Sequence, residues 1–74
     1  MKTIREIQNE SGLSDEKFSK LVGMSRRTYI GRFDGSQPKW LLTDIIGIAN
    51  QNKGNVRVSV NDKTYDISVK EITE

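Results

Sequence analysis

Arg26 and Arg27 stand side by side directly after Gly23-Met24-Ser25, at the start of a segment with helical character, RRTYIGRFD. A helix N-terminus is the positive end of the peptide dipole and favours carboxylates. Two cations placed there find no stabilising partner in their own helix; phosphates or base acceptors outside the chain would provide one. An arginine at a protruding helix start can pair bidentately with guanine in the major groove, worth about 1–3 kcal/mol of discrimination. Taken alone, such a pair is ordinary solvated surface, so the surrounding charge matters. From Lys17 to Lys39 six cations (Lys17, Lys20, Arg26, Arg27, Arg32, Lys39) face one anion, Asp34. From Asn61 to Glu74, Lys63 and Lys70 face Asp62, Asp66, Glu71 and Glu74. The formal net charge is only +2, but its cations gather mid-chain, as on a surface docked against phosphates.

Other chemistries have little to build on. The chain has no Cys and no His, so it has no disulfide framework or thiolate metal site and lacks the commonest zinc ligand and general base. The carboxylates sit at helix starts, turns and the tail, and no Gly-rich phosphate loop follows a strand. An enzyme is not expected, nor is a metal or any other cofactor. No apolar run is long enough to span a bilayer, and MKTIREIQNE lacks the apolar core of a signal peptide. The expected location is the cytoplasm, with no membrane partner.

The 74 residues predict a single domain, residues 1–74, with a helical core over 1–54 and a hairpin over 55–74; one core of this size is marginal and gains from a partner subunit. Thr3 and Glu6 form a T-x-x-E capping box that opens a first helix, with Ile4 and Ile7 on one face. Ser11 and Gly12 stop it. Ser14 caps a second helix whose Phe18, Leu21 and Val22 predict a buried stripe. Gly23 suits its left-handed terminus. Ser25 caps the third helix, which runs to Phe33 or Asp34 and closes at Gly35. Pro38 falls at or near the first turn of a fourth, KWLLTDIIGIANQNK. There Leu42, Ile45, Ile46 and Ala49, widened by Leu41 and Ile48, predict the central core helix, with Gly47 costing about 1 kcal/mol against alanine. Gly54 ends it. Val56, Val58 and Val60, then Tyr65, Ile67 and Val69, alternate with polar residues about an Asn61-Asp62-Lys63 turn, predicting a β-hairpin. The fold class is mainly α, with four short helices and a C-terminal β-hairpin.

The second and third helices, separated by Gly23-Met24-Ser25, match a helix-turn-helix. Phe18, Leu21, Val22, Met24 and Tyr29 can bury one seam and leave the start of the third helix protruding. The stretch GLSDEKFSKLVGMSRRTYIGRFDG, Gly12 to Gly35, resembles the DNA-binding core of the Xre/Cro-type repressors, and WLLTDIIGIA is similar to that family's next helix. The resemblance implies a lambda-repressor-like fold. It also implies that Ser25 caps a recognition helix, that Arg26 and Arg27 point at bases or flanking phosphates, and that Thr28 approaches a phosphate. By the same resemblance Tyr29 enters the core, Gly31 falls where many members keep a base-reading side chain, and Ser36, Gln37 and Lys39 occupy a phosphate-touching loop. Ile30 stays open between core filling and a thymine methyl. Three departures from the family pattern stand out: Asp15 stands where a polar, DNA-facing residue is usual; Gly31 has no side chain to read a base, although it would let the backbone come closer to DNA; and Arg32 and Phe33 reverse the usual apolar-polar order. The hairpin is similar to the C-terminal strands of small lambdoid Cro proteins, where strands form the dimer contact.

The expected activity is that of a Cro-like, phage-type transcription regulator or repressor that binds double-stranded DNA at an operator as a homodimer. The competing expectation is a protein partner: helix-turn-helix cores also serve as antitoxins, anti-repressors and inhibitors, and function follows the site rather than the fold.

Overall fold

The computed structural model describes residues 1–37 and 39–72. Four helices come first: α1 (Ile4–Ser11), α2 (Asp15–Leu21), α3 (Arg26–Asp34) and α4 (Leu42–Ala49), the last extended by a 3-10 turn over Asn50–Asn52. Two antiparallel strands, β1 (Asn55–Val60) and β2 (Lys63–Ser68), complete the fold. The expected order of four helices and a C-terminal hairpin is the observed one.

The local signals explain most boundaries. The Thr3 hydroxyl accepts from the Glu6 backbone N–H at 3.2 Å, and Glu6 returns to the Thr3 N–H at 3.3 Å, so the capping box closes in both directions. Ser14 accepts from the Lys17 N–H at 3.3 Å at the head of α2. Gly23, at φ 86°, takes the left-handed conformation that lets the chain leave α2 and turn into α3. Asn61 and Asp62, at φ 50° and 63°, form the whole hairpin loop; both left-handed conformations belong to the primed turn that matches strand twist. Lys63, assigned to the turn from sequence, is instead the first residue of β2 and faces Val60.

The core joins the four helices and β1, with Ile67 of β2 packed partly against it. Ile4 and Ile7 of α1, Phe18 and Val22 around α2, Met24 of the turn, Tyr29 of α3, Ile48 and Ala49 of α4, and Val56 and Val58 of β1 form one cluster. The hairpin is held from its far side as well: the Arg57 N–H donates to the Lys2 carbonyl at 2.7 Å, and Thr3 bridges to Arg57 in parallel. This places β1 between β2 and the N-terminal residues and leaves β2 at the open edge.

Two expectations about the core need correction. Leu21 is 51 % exposed, because the inward face of α2 is made by Phe18, Ser19 and Val22 and lies more than a quarter-turn away. Leu41 and Leu42 are exposed, Leu42 by 70 %, because α4 turns Asp44 inward together with Ile48 and Ala49. The fourth helix is also shorter than its sequence pattern: Lys39, Trp40 and Leu41 precede it and Asn50–Asn52 leave it as a 3-10 turn. The expected place of Pro38 lies outside the described residues. Only part of the hairpin's apolar face is covered: Val56 and Val58 are buried, whereas Val60 and Tyr65 near the turn are exposed.

Gly47 has a packing reason. A Cβ there would sit 2.6 Å from the Val22 carbonyl oxygen, so α4 lies against the end of α2 at a distance only glycine permits.

Candidate nucleic-acid interface

The start of α3 is built by its cap. Ser25 is extended, accepts from the Thr28 N–H at 3.1 Å and donates to the Thr28 hydroxyl at 2.9 Å. Ser25 is thus the cap expected of it, while the Thr28 hydroxyl, expected near a phosphate, is already engaged in shaping the helix end, and Thr28 is half-buried. The turn before it is pinned by the buried Met24, whose N–H donates to the Ser19 carbonyl at 2.8 Å.

Tyr29 ties α3 to the rest of the molecule. Fully buried, it donates through its hydroxyl to Gln8 Oε1 at 2.7 Å. Gln8 donates in turn to Asp15 Oδ1 at 2.8 Å, and Arg5 Nη1 donates to both Gln8 Oε1 and Asp15 Oδ1 at 2.8 Å each. Burial pushes the Tyr29 phenol up to about 12, so it remains a donor throughout the neutral range. The hydrogen bonds from Gln8 and then Arg5 hold the Asp15 carboxyl below its usual range. Asp15, an anomaly against the family pattern, is therefore the acceptor that joins α2 to α1 and, through Gln8, to Tyr29 of α3.

The reversed order of Arg32 and Phe33 also has a structural cause. Arg32 enters the protein, where its side chain is 8 % exposed and that of its partner Asp44 is 9 %. Arg32 Nε and Nη2 reach Asp44 Oδ2 at 3.1 Å, and Nη1 donates to the Gln37 carbonyl at 3.1 Å. The same Asp44 oxygen accepts from the Leu41 N–H at 3.0 Å and so serves the head of α4. Phe33 meanwhile lies at the surface, edge-on to Tyr29 and to Trp40, each at 5.2 Å between ring centroids.

The arginines divide into two groups. Arg5 pairs with Asp15, Arg32 with Asp44, and Arg57 with Asp66, the last through Nε at 2.7 Å and Nη2 at 3.1 Å. Arg26 and Arg27 are exposed and make no ion pair or side-chain hydrogen bond among the described residues. Arg26, Arg27, half-buried Ile30 and Gly31 fall on the side of α3 opposite Tyr29 and Arg32.

Gly31 differs from expectation. It is buried, and a Cβ on it would meet Gln37 Cγ at 2.6 Å and Ser36 Oγ at 2.9 Å. Its carbonyl also accepts from the Gly35 and Gln37 N–H groups. Gly31 therefore does not bring backbone toward an outside ligand; it lets the Ser36-Gln37 loop fold over α3, one turn beyond Arg27. Ser36, Gln37 and Lys39 are exposed. Asp34 accepts from the Ser36 N–H at 2.9 Å, which lowers its carboxyl and leaves one anion beside this loop.

Reasoning from sequence missed Gln8 and Arg5, which orient α3 from 21 residues away in the case of Gln8 and Tyr29; no local pattern signals such a pair. The Arg32–Asp44 bridge did leave a trace, the reversed Arg32-Phe33 order. Among the described residues, no group of acidic side chains could hold a metal ion and no helix is long and apolar enough to cross a membrane. Compared with protein-family models, curated proteins and solved structures, the chain matches none.

Proposed function

We propose that this protein binds double-stranded DNA, with the first turn of α3 entering the major groove, and acts as a transcription regulator at an operator. The observation that carries the reading is the unequal treatment of its arginines. Arg5, Arg32 and Arg57 each pair with a carboxylate, while Arg26 and Arg27 make no ion pair among the described residues and stand at a helix end that disfavours cations. Phosphates and guanine edges reverse that cost on binding. Lys17 on α2 and Lys39 after the Ser36-Gln37 loop are further exposed cations of the same mid-chain segment. In this reading Arg26 and Arg27 contact bases or flanking phosphates, Ser36, Gln37 and Lys39 contact backbone, and Ile30 lies against the groove wall. The expected form is a homodimer on a two-fold symmetric site, with recognition helices about 34 Å apart. The expected location is the cytoplasm.

The test is anisotropy of a labelled mixed-sequence duplex at about 50 and about 200 mM salt, where release of counterions from several phosphates weakens affinity by roughly tenfold to a thousandfold. Affinity indifferent to salt would contradict the proposal. A second reading, docking onto a protein partner, is favoured by exposed Leu21, Leu41 and Leu42 and by the open β2 edge. Such an interface would keep most of its affinity over the same salt range.

A further inference from the structure

A groove of about 290 Å³ lies between the head of α1, the end of α3 and β1, with Arg5, Phe33, Trp40, Arg57 and Ser59 among its walls. Its size is near the lower limit for small-ligand sites. Three of the five arginines of the chain, Arg5, Arg32 and Arg57, line it, yet among the described residues no carboxylate does. Their partners Asp15, Asp44 and Asp66 lie outside the lining, so the guanidiniums are held in place by acids that do not face the groove. Arg5 makes both of its hydrogen bonds through Nη1, and Arg57 makes its two through Nε and Nη2. Among the described residues, Arg5 Nε and Nη2 and Arg57 Nη1 have no acceptor. The apolar part is aromatic: Arg5 lies 4.2 Å from the Phe33 ring centroid, Phe33 is 40 % exposed, and Trp40 meets it edge-on at 76°. Placing Phe33 at the surface while Arg32 goes inside costs stability in isolation. That inversion supplies the wall of this groove.

We infer that the groove binds a small planar organic anion, a ring carrying one carboxylate or phosphate, with the ring against Phe33 and Trp40 and the anionic group on the spare donors of Arg5 and Arg57. A guanidinium already fixed by one carboxylate loses little freedom on receiving a second acceptor. A bare anion would leave the aromatic wall wet, and an uncharged ring would leave the donors unserved.

The experiment uses the full chain without DNA and follows Trp40, its only tryptophan, by fluorescence, together with backbone amide shifts. Benzoate and adenosine monophosphate are the two probes, and acetate, inorganic phosphate and benzyl alcohol are the controls. At least one probe should saturate, with affinity about tenfold or more above every control; benzoate alone assigns a carboxylate ligand, adenosine monophosphate alone a phosphate. Arg57→Gln should weaken binding about tenfold, the loss of one charge-assisted hydrogen bond. Ser59→Leu, which fills the groove without changing charge, should abolish it. Replacing Arg26 and Arg27 by alanine should leave it unchanged, which separates this site from the proposed DNA face. The inference is overturned if neither probe saturates, if acetate or inorganic phosphate binds as well as the probes, or if the shifting amides lie around Arg26 and Arg27.

Discussion

At the scale of single residues, two sets of arginines do different work. Arg26 and Arg27 are exposed and make no side-chain hydrogen bond or ion pair among the described residues, so replacing both by alanine should leave the thermal midpoint within a few degrees of the parent by circular dichroism, while duplex affinity falls steeply. Loss of folding in that variant would contradict their placement. Asp15 makes the opposite kind of prediction. Its folded pKa lies below the unfolded value near 3.8, chiefly through the Gln8 and Arg5 hydrogen bonds. The stabilisation is therefore fully present above the unfolded value and is lost as pH falls through the folded one. Urea unfolding should show the parent more stable than Asp15→Asn at neutral pH, with the gap closing well below pH 3.8. A gap that persists in acid would mean the carboxylate charge is not the cause. Leu21 and Phe18 separate similarly. Phe18 is fully buried and its truncation to alanine should cost about 3–5 kcal/mol. Leu21→Ala should cost about 1 kcal/mol or less, half of its surface being already in water. The apolar spacing of Phe18, Leu21 and Val22 could not reveal this, because which third of a short helix turns inward depends on its neighbours.

At the scale of elements, the ends were legible and the rotations were not. Thr3 with Glu6, Ser14, Ser25 and the left-handed glycines act within three or four residues, so their chemistry can be read along the chain. The rotation of α4 is set by Arg32, 12 residues before Asp44, and nothing local to α4 announces it. Breaking that pair should be severe: Asp44→Ala leaves a buried guanidinium uncompensated, removes an acceptor at the helix head, and should cost about 3–5 kcal/mol by denaturant unfolding. A cost under about 1 kcal/mol would mean that water reaches the pair. Gly47→Ala tests the close crossing of α2 and α4. Helix propensity alone favours alanine by about 1 kcal/mol, but the added carbon meets the backbone carbonyl of Val22 at 2.6 Å. Overpacking of this kind costs about 1–3 kcal/mol, so the variant should melt lower than the parent; a higher melting temperature would show that the helices are free to part.

At the scale of the whole molecule, charge and packing point in one direction each. The buried polar groups are spent on joining elements: Tyr29, Gln8 and Asp15 hold α1, α2 and α3 together, and Arg32 and Asp44 hold α3 to α4. Their effect is to hold α3 firmly while its first turn stays open. Much of the candidate face was readable from Arg26, Arg27 and the cap at Ser25. Gly31 was misread, because its role is to accept a loop that returns from Ser36 and Gln37, and that return is a tertiary fact. The hairpin keeps Val60 and Tyr65 exposed beside an open β2 edge, a surface on which the proposed dimer can draw. The central claim, that α3 reads DNA, is tested most directly by selection of bound sequences from a randomised duplex library, with the Arg26, Arg27 double alanine variant run in parallel. The account predicts that the parent enriches a two-fold symmetric motif and the variant enriches none. Enrichment of the same motif by both proteins, or of none by the parent, would contradict it.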